Sequence, residues 1–139
     1  MESKQIPGNQ KLKITLIEDD PSMVSLLSTL LSMEGYIVST PHNHHKKSVL
    51  QSILLERPQI ALIDVNLALG NGLDLARSIR LEPQIKSMCI LMTSGLYLEK
   101  ESLQAGADGF IQKPFMPDEL LKLVQDSFQQ SYKNQLQKE

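Results

Sequence analysis

Apolar residues recur along this chain in two alternating rhythms. Short apolar-rich runs at Leu12 to Ile17, Tyr36 to Thr40, Ile60 to Ile63, Met88 to Met92 and Asp108 to Ile111 predict strands. Between them, apolar positions fall at helical spacing: Met23, Leu26, Leu27, Leu30 and Leu31; Val49, Leu50, Ile53 and Leu54; Leu73, Leu75, Ala76 and Ile79; Leu98 to Ala105; and Leu120, Leu121, Val124 and Phe128. Breakers separate the two rhythms. Asp20 before Pro21 reads as a helix cap with proline at the first helical position, and Gly35 ends that helix. Glu56-Arg57-Pro58, Pro83 and Gly106 close the next three helices, and Pro117-Asp118-Glu119 opens the last. Five strand–helix units in succession predict an α/β fold: an open, doubly wound parallel sheet with helices on both faces and strand order 2-1-3-4-5.

The central strand is the most apolar. Ile60-Ala61-Leu62-Ile63 reads as buried on both faces and ends in Asp64 at the sheet's carboxyl edge, where ligands collect in open α/β sheets. Taken alone, Asp64 reads equally well as the cap of the next helix. The segment Val65 to Gly72 reads as a tight loop able to adopt positive φ. The predicted strand order places Glu18 and Asp19, after the first strand, beside Asp64, with Thr93 and Lys113 arriving from the strands on the other side. Thr93 alone reads as a helix N-cap.

Composition narrows the field. A length of 139 residues suits a single domain, and 41% apolar with 22% charged content is ordinary for a soluble globule. No apolar run approaches the roughly twenty residues of a membrane helix. Residues 1–11 read as a flexible polar leader without a secretory signal. Cys89, the single cysteine, excludes an internal disulfide, fits a reducing cytoplasm and reads as a core residue. A net charge of −2 without a basic cluster excludes a direct nucleic-acid footprint. His42, His44 and His45 raise the thought of a metal, but with no cysteine or acid nearby in sequence they read as a solvated loop. Val124, Phe128, Tyr132 and Leu136 recur every fourth residue, so the polar tail 133–139 reads as an extension of the last helix, a linker stub or a dimer contact.

Carboxylates at Glu18, Asp19 and Asp64 converging on one edge call for a hard cation, Mg²⁺ or Mn²⁺. An aspartate can attack phosphorus to form an acyl phosphate when a metal and a fixed ammonium, here Lys113, neutralise the transferring group. The Thr93 hydroxyl would donate to a phosphoryl oxygen. In these residues, at these strand ends and in this order, the chain from about Leu12 to Tyr132 resembles the receiver domain of the two-component response regulators, with the flavodoxin-like strand order.

The resemblance implies that Asp64 is phosphorylated by a sensor histidine kinase or a histidine phosphotransfer protein. It implies that Asp19 and Asp64 bind Mg²⁺ directly, with the Asn66 backbone carbonyl as a further ligand and Glu18 acting mainly through water. It implies a cis Lys113-Pro114 bond, and a switch in which Thr93, with Ser94 beside it, draws inward and opens space for Phe110. The face of the fourth helix, fifth strand and fifth helix would then change, for an unidentified effector or a phosphorylation-dependent homodimer. Neither a membrane nor a nucleic acid is expected as a direct partner. Two positions depart from the family's habit: Ala68 stands where proline is frequent, and Phe110 lacks the hydroxyl that some members carry. Competing readings are an aspartate-nucleophile phosphohydrolase, which would want an acid where Asn66 stands, and a degenerate receiver that only binds partners. A nucleotide-binding module would want glycines rather than acids after the first strand.

Overall fold

The computed structural model describes residues 11–42, 45–68 and 70–138. Residues 1–10 of the expected leader, and His44 of the histidine stretch, lie outside them. In chain order the elements are β1 (Lys13–Ile17), α1 (Pro21–Met33), β2 (Ile37–Ser39), α2 (Lys46–Glu56), β3 (Ile60–Asp64), β4 (Asn66–Leu67), β5 (Gly70–Asn71), α3 (Gly72–Leu81), β6 (Cys89–Ser94), α4 (Glu99–Gln104), β7 (Gly109–Gln112) and α5 (Pro117–Lys138). The main sheet is parallel with order β2-β1-β3-β6-β7. This is the expected 2-1-3-4-5 arrangement once the small β4–β5 ribbon is set aside.

Side chains alternate across a strand, and here both faces are covered. Ile14 and Leu16 of β1, Ile60 and Leu62 of β3, and Cys89 and Leu91 of β6 pack with Leu27 and Leu31 of α1 and Leu120, Val124 and Phe128 of α5. The intervening Ile17, Ala61, Ile63, Ile90 and Met92 pack with Val49 and Ile53 of α2 and Leu75, Ala76 and Ile79 of α3. This two-sided burial explains why the strands read as continuous apolar runs.

Helix ends follow the local chemistry. The Asp20 side chain accepts from Ser22 N at 3.0 Å with Pro21 at the first helical position, and the Asn71 side chain caps α3 by accepting from Leu73 N at 2.7 Å. At the far end of α3, Arg80 donates to the carbonyls of Lys86, Met88 and Gly106 and pairs with Asp108 at 2.9 Å, tying α3 to the starts of β6 and β7. Gly106, at φ +109°, is needed there because a Cβ would stand 2.7 Å from Arg80 Cγ.

Three details differ from the sequence expectation. The segment after Asp64 is a two-stranded antiparallel ribbon, and no described residue in it has positive φ. β6 continues past Met92 through Thr93 and Ser94, because both pair with β7, so Thr93 is a strand residue and Leu98 occupies the N-cap of α4. α5 runs to Lys138, and Gln135 near its end donates to the Ser87 carbonyl at 2.7 Å. Along its stripe, Val124 and Phe128 are buried while Leu136 is 47% exposed.

Candidate functional site

The sheet's register assembles the site. Leu16 pairs with Leu62 and Ile17 with Ile63, so Glu18 follows β1 at the level of Asp64. Asp64 pairs with Thr93, Thr93 with Ile111, and Lys113 lies two residues past Ile111. Side chains two apart share a face, so Glu18, Asp64, Thr93 and Lys113 all stand at the carboxyl edge on the side covered by α1 and α5. Gly72, the first residue of α3, lets the ribbon close tightly behind Asp64: a Cβ there would stand 2.3 Å from the Asp64 carbonyl oxygen.

Glu18 and Asp64 are buried, at 5% and 6% exposure. Lys113 Nζ bridges them, donating to Glu18 Oε1 at 3.0 Å and Asp64 Oδ2 at 2.9 Å. Burial by itself pushes the Lys113 ammonium down, but the hydrogen bonds and charges of Asp64 and Glu18 outweigh it and leave the ammonium more basic than an ordinary lysine. The remaining carboxylate oxygens take backbone donors: Asp64 Oδ1 accepts from Asn66 N at 3.0 Å and Glu18 Oε2 from Asp20 N at 3.1 Å. The exposed Asp19 turns to the ribbon, where its Oδ2 accepts from Ala68 N. The Lys113–Pro114 bond is cis.

The ribbon is bound to the site along one edge. Gly72 N donates to the Val65 carbonyl at 2.8 Å, while Val65 N donates to the Thr93 carbonyl at 2.8 Å, so Val65 joins the ribbon to β6. Asn66 pairs with Asn71 across the ribbon, and its own N–H is turned to Asp64.

The hydroxyls differ in their bonding. Ser94 Oγ accepts from Leu96 N at 3.0 Å and lies 3.4 Å from Asn66 Nδ2. Thr93, 2% exposed, has an Oγ1 with no hydrogen-bond partner among the described residues. A buried hydroxyl without a partner is costly, so this one is poised to gain from an acceptor brought to Asp64. Phe110 is half-buried against the α2/α3 face of the sheet, and its ring meets Tyr97 edge-on at 6.1 Å. The Tyr97 hydroxyl donates to Glu99 Oε1 at 2.6 Å. Tyr97 and the amide of Ala68 were not anticipated from sequence. An aromatic four residues after Thr93 was the available signal for the first, and a backbone donor leaves none.

The donor set suits a hard divalent ion. Lys113 offers one positive charge to the two buried carboxylates it bridges, Glu18 and Asp64. The oxygens are carboxylate and carbonyl, the type Mg²⁺ and Mn²⁺ prefer. Among the described residues no three His, Cys, Asp or Glu form a ready-made cluster. No helix is long and apolar enough to cross a membrane among the described residues.

Known proteins match this arrangement. The family model for the response regulator receiver domain matches residues 14–125. The transcriptional regulatory protein CpxR of Escherichia coli (strain K12) is 31% identical over 121 residues, covering 86% of this chain and 50% of CpxR. The DNA-binding response regulator MtrA of Mycolicibacterium smegmatis is 29% identical over 112 residues, covering 81% and 48%. The chain thus spans about half the length of these curated relatives. Among solved structures, the chemotaxis response regulator CheY4 of Vibrio cholerae superposes with a TM-score of 0.77 at 27% identity, covering 85% of this chain and 99% of that one. A CheY-like receiver domain protein of Methanospirillum hungatei JF-1 gives 0.78 at 27%, covering 90% and 99%. With the family model spanning most of its length, the chain belongs to the response regulator receiver domains of two-component signalling.

Proposed function

We propose that Asp64 accepts a phosphoryl group from the phosphohistidine of a sensor histidine kinase or a histidine phosphotransfer protein, in the cytoplasm. The phosphorylated form then offers a changed face of α4, β7 and α5 to a downstream partner or a second copy. The unit that does this is residues 12–132, with 1–11 as a leader and 133–139 as a polar tail that extends the last helix or serves as a linker stub. The observation that carries the reading is the state of the Asp64 carboxylate, which is nearly buried at a strand end, with one oxygen on the Asn66 amide and the other on the Lys113 ammonium.

Receiver domains bind Mg²⁺ where they take up the phosphoryl group. In this chain Asp19, Asp64 and the Asn66 carbonyl would hold it, with Mn²⁺ as a substitute and Glu18 acting mainly through water. When bound, the ion supplies the positive charge that offsets the phosphoryl oxygens. The protein's own steps are these. A lone pair of an Asp64 oxygen attacks phosphorus while the P–N bond to the donor imidazole breaks, and its electron pair returns to the ring. Lys113 gives up part of its hold on Asp64 and donates to a phosphoryl oxygen, while Glu18 keeps the ammonium in place. The Thr93 hydroxyl turns to another phosphoryl oxygen and gains its first partner. That movement leaves room for Phe110, which leaves Tyr97 and unsettles the start of α4.

A hydrolase using the same nucleophile would need a proton donor where Asn66 stands, and a carboxamide has none to give. The test is intact mass after incubation with acetyl phosphate, with and without Mg²⁺, for wild type and Asp64→Asn. The expected result is a metal-dependent gain of one phosphoryl group that Asp64→Asn abolishes. A gain of equal size in the variant would overturn the assignment of Asp64.

A further inference from the structure

Asn66 and Ala68 sit two residues apart on the β4–β5 ribbon, and each gives its backbone N–H to a different carboxylate: Asn66 to Asp64 Oδ1, Ala68 to Asp19 Oδ2. The ribbon therefore lies across the two side chains that, on the reading above, share the divalent ion. Backbone N–H groups aimed at carboxylates do part of a cation's work, because they offset negative charge at short range. The two carboxylates differ in exposure. Asp64 is nearly buried and tied to Lys113 as well, whereas Asp19 is exposed and is turned toward the ribbon. Among the described residues Asp19 does not join Glu18 and Asp64 in a ready-made cluster.

We infer that the Ala68 amide is a latch on Asp19 that competes with the divalent ion, so that ion uptake and loosening of the ribbon are linked. Ala68 acts through Asp19 and is a positioning residue. Nothing in its methyl group matters, since every residue type except proline supplies the same N–H. The inference rests on the proposed cation site, and it sets how strongly that site holds its ion before any phosphoryl group arrives. A released ribbon would also free the Asn66 edge to turn its carbonyl toward the ion.

The structure permits the decisive substitution. Ala68 has a negative φ and follows the extended Leu67, and both conditions suit proline. Ala68→Pro removes the donor and sets its ring Cδ where the amide hydrogen met Asp19, so the carboxylate must leave the ribbon, while Ala68→Gly keeps the donor. Dissociation constants for Mn²⁺ are read from the electron paramagnetic resonance signal of the free ion, with Mg²⁺ as competitor, on wild type, Ala68→Pro, Ala68→Gly, Asp19→Asn and Asp64→Asn. Loss of one exposed charge-assisted hydrogen bond predicts that Ala68→Pro binds about fivefold more tightly. Ala68→Gly is expected to match wild type, and Asp19→Asn to bind much more weakly.

Equal or weaker binding by Ala68→Pro, with the Asp19 and Asp64 variants impaired, overturns the latch and leaves the cation site standing. Undiminished binding by both Asp19→Asn and Asp64→Asn overturns the site and the latch together. Should Ala68→Pro fold poorly, hydrogen exchange of the wild-type Ala68 amide decides: protection that falls on saturation with Mg²⁺ supports the latch, and protection that stays or rises overturns it.

Discussion

Replacing Lys113 with methionine keeps a flexible unbranched side chain, one atom shorter, and removes its charge. In the wild type one ammonium serves two carboxylates, and the exposed fractions of the side chains are 22% for Lys113, 3% for Glu18 and 8% for Asp64. Without it, two buried carboxylates face each other uncompensated. Removing one member of a buried ion pair costs roughly 3–5 kcal/mol, and the partial exposure of Lys113 places this case near the low end, at about 3 kcal/mol. For a chain of this size that corresponds to a fall of about 10 °C in Tm. Urea unfolding followed by far-ultraviolet circular dichroism, in buffer freed of divalent ions, measures it directly. Saturating Mg²⁺ should then return more stability to Lys113→Met than it adds to wild type, because the ion becomes the only neutraliser left.

The alkaline range gives a second check on the same pair. The folded protein holds the Lys113 proton more tightly than the unfolded chain, since Asp64 and Glu18 outweigh the effect of burial. That contribution is present in full below the ordinary lysine value of about 10.4 and is lost as pH rises through the higher folded value. The stability gap between wild type and Lys113→Met should therefore stay constant from neutral pH to about pH 10 and close above it. A variant within about 0.5 kcal/mol of wild type at neutral pH would refute the reasoning, because surface changes fall in that range.

Three further outcomes follow from individual positions. Thr93→Val removes a buried hydroxyl that has no partner among the described residues, so urea unfolding should show it about 1 kcal/mol more stable than wild type. It should still be phosphorylated, while the shift in Phe110 and Tyr97 aromatic resonances seen on phosphorylation of wild type is lost. Gly72→Ala places a Cβ 2.3 Å from the Asp64 carbonyl oxygen, and the backbone there cannot yield cheaply. It should lose roughly 1–3 kcal/mol by chemical denaturation and slow phosphorylation by acetyl phosphate as Asp64 is displaced. The Cys89 thiol is 1% exposed, and burial, reinforced by Asp108, pushes it far up. Maleimide should label it only as fast as the protein opens, and mild urea should accelerate labelling in step with unfolding.

Sequence and structure agree most closely where a rule is periodic. Burial on both faces made β1, β3 and β6 visible as apolar runs, and the alternation of units gave the sheet order. The same periodicity placed Glu18, Asp64 and Thr93 on one edge, although spacing could not show that Lys113 reaches Glu18 across 95 residues. That contact is tertiary, and the family resemblance foresaw the lysine without foreseeing its partner. Thr93 and Ser94 seemed to lie beyond β6 because they are polar, yet their backbone groups complete the ladder to β7. The β4–β5 ribbon was hidden for a different reason. Asn66-Leu67 and Gly70-Asn71 have no apolar alternation to advertise a strand; they pair with each other, and the Asn66 and Ala68 amides are held by the carboxylates of Asp64 and Asp19. Tyr97 was passed over because it is exposed, and its contact with Phe110 depends on how the β6–α4 connection folds.

Chemical location of the phosphoryl group is the most direct test of the whole reading. An acyl phosphate on a carboxylate is reduced by borohydride to the alcohol, so a phosphorylated aspartate becomes homoserine and carries a distinct mass in a proteolytic peptide. Wild-type protein treated with acetyl phosphate and Mg²⁺, then reduced and digested, should yield homoserine at position 64, with Asp19 and Glu18 unchanged and none formed when Mg²⁺ is chelated. Conversion at Glu18 or Asp19 instead, or phosphorylated protein with an intact Asp64, would contradict the central role given to that carboxylate.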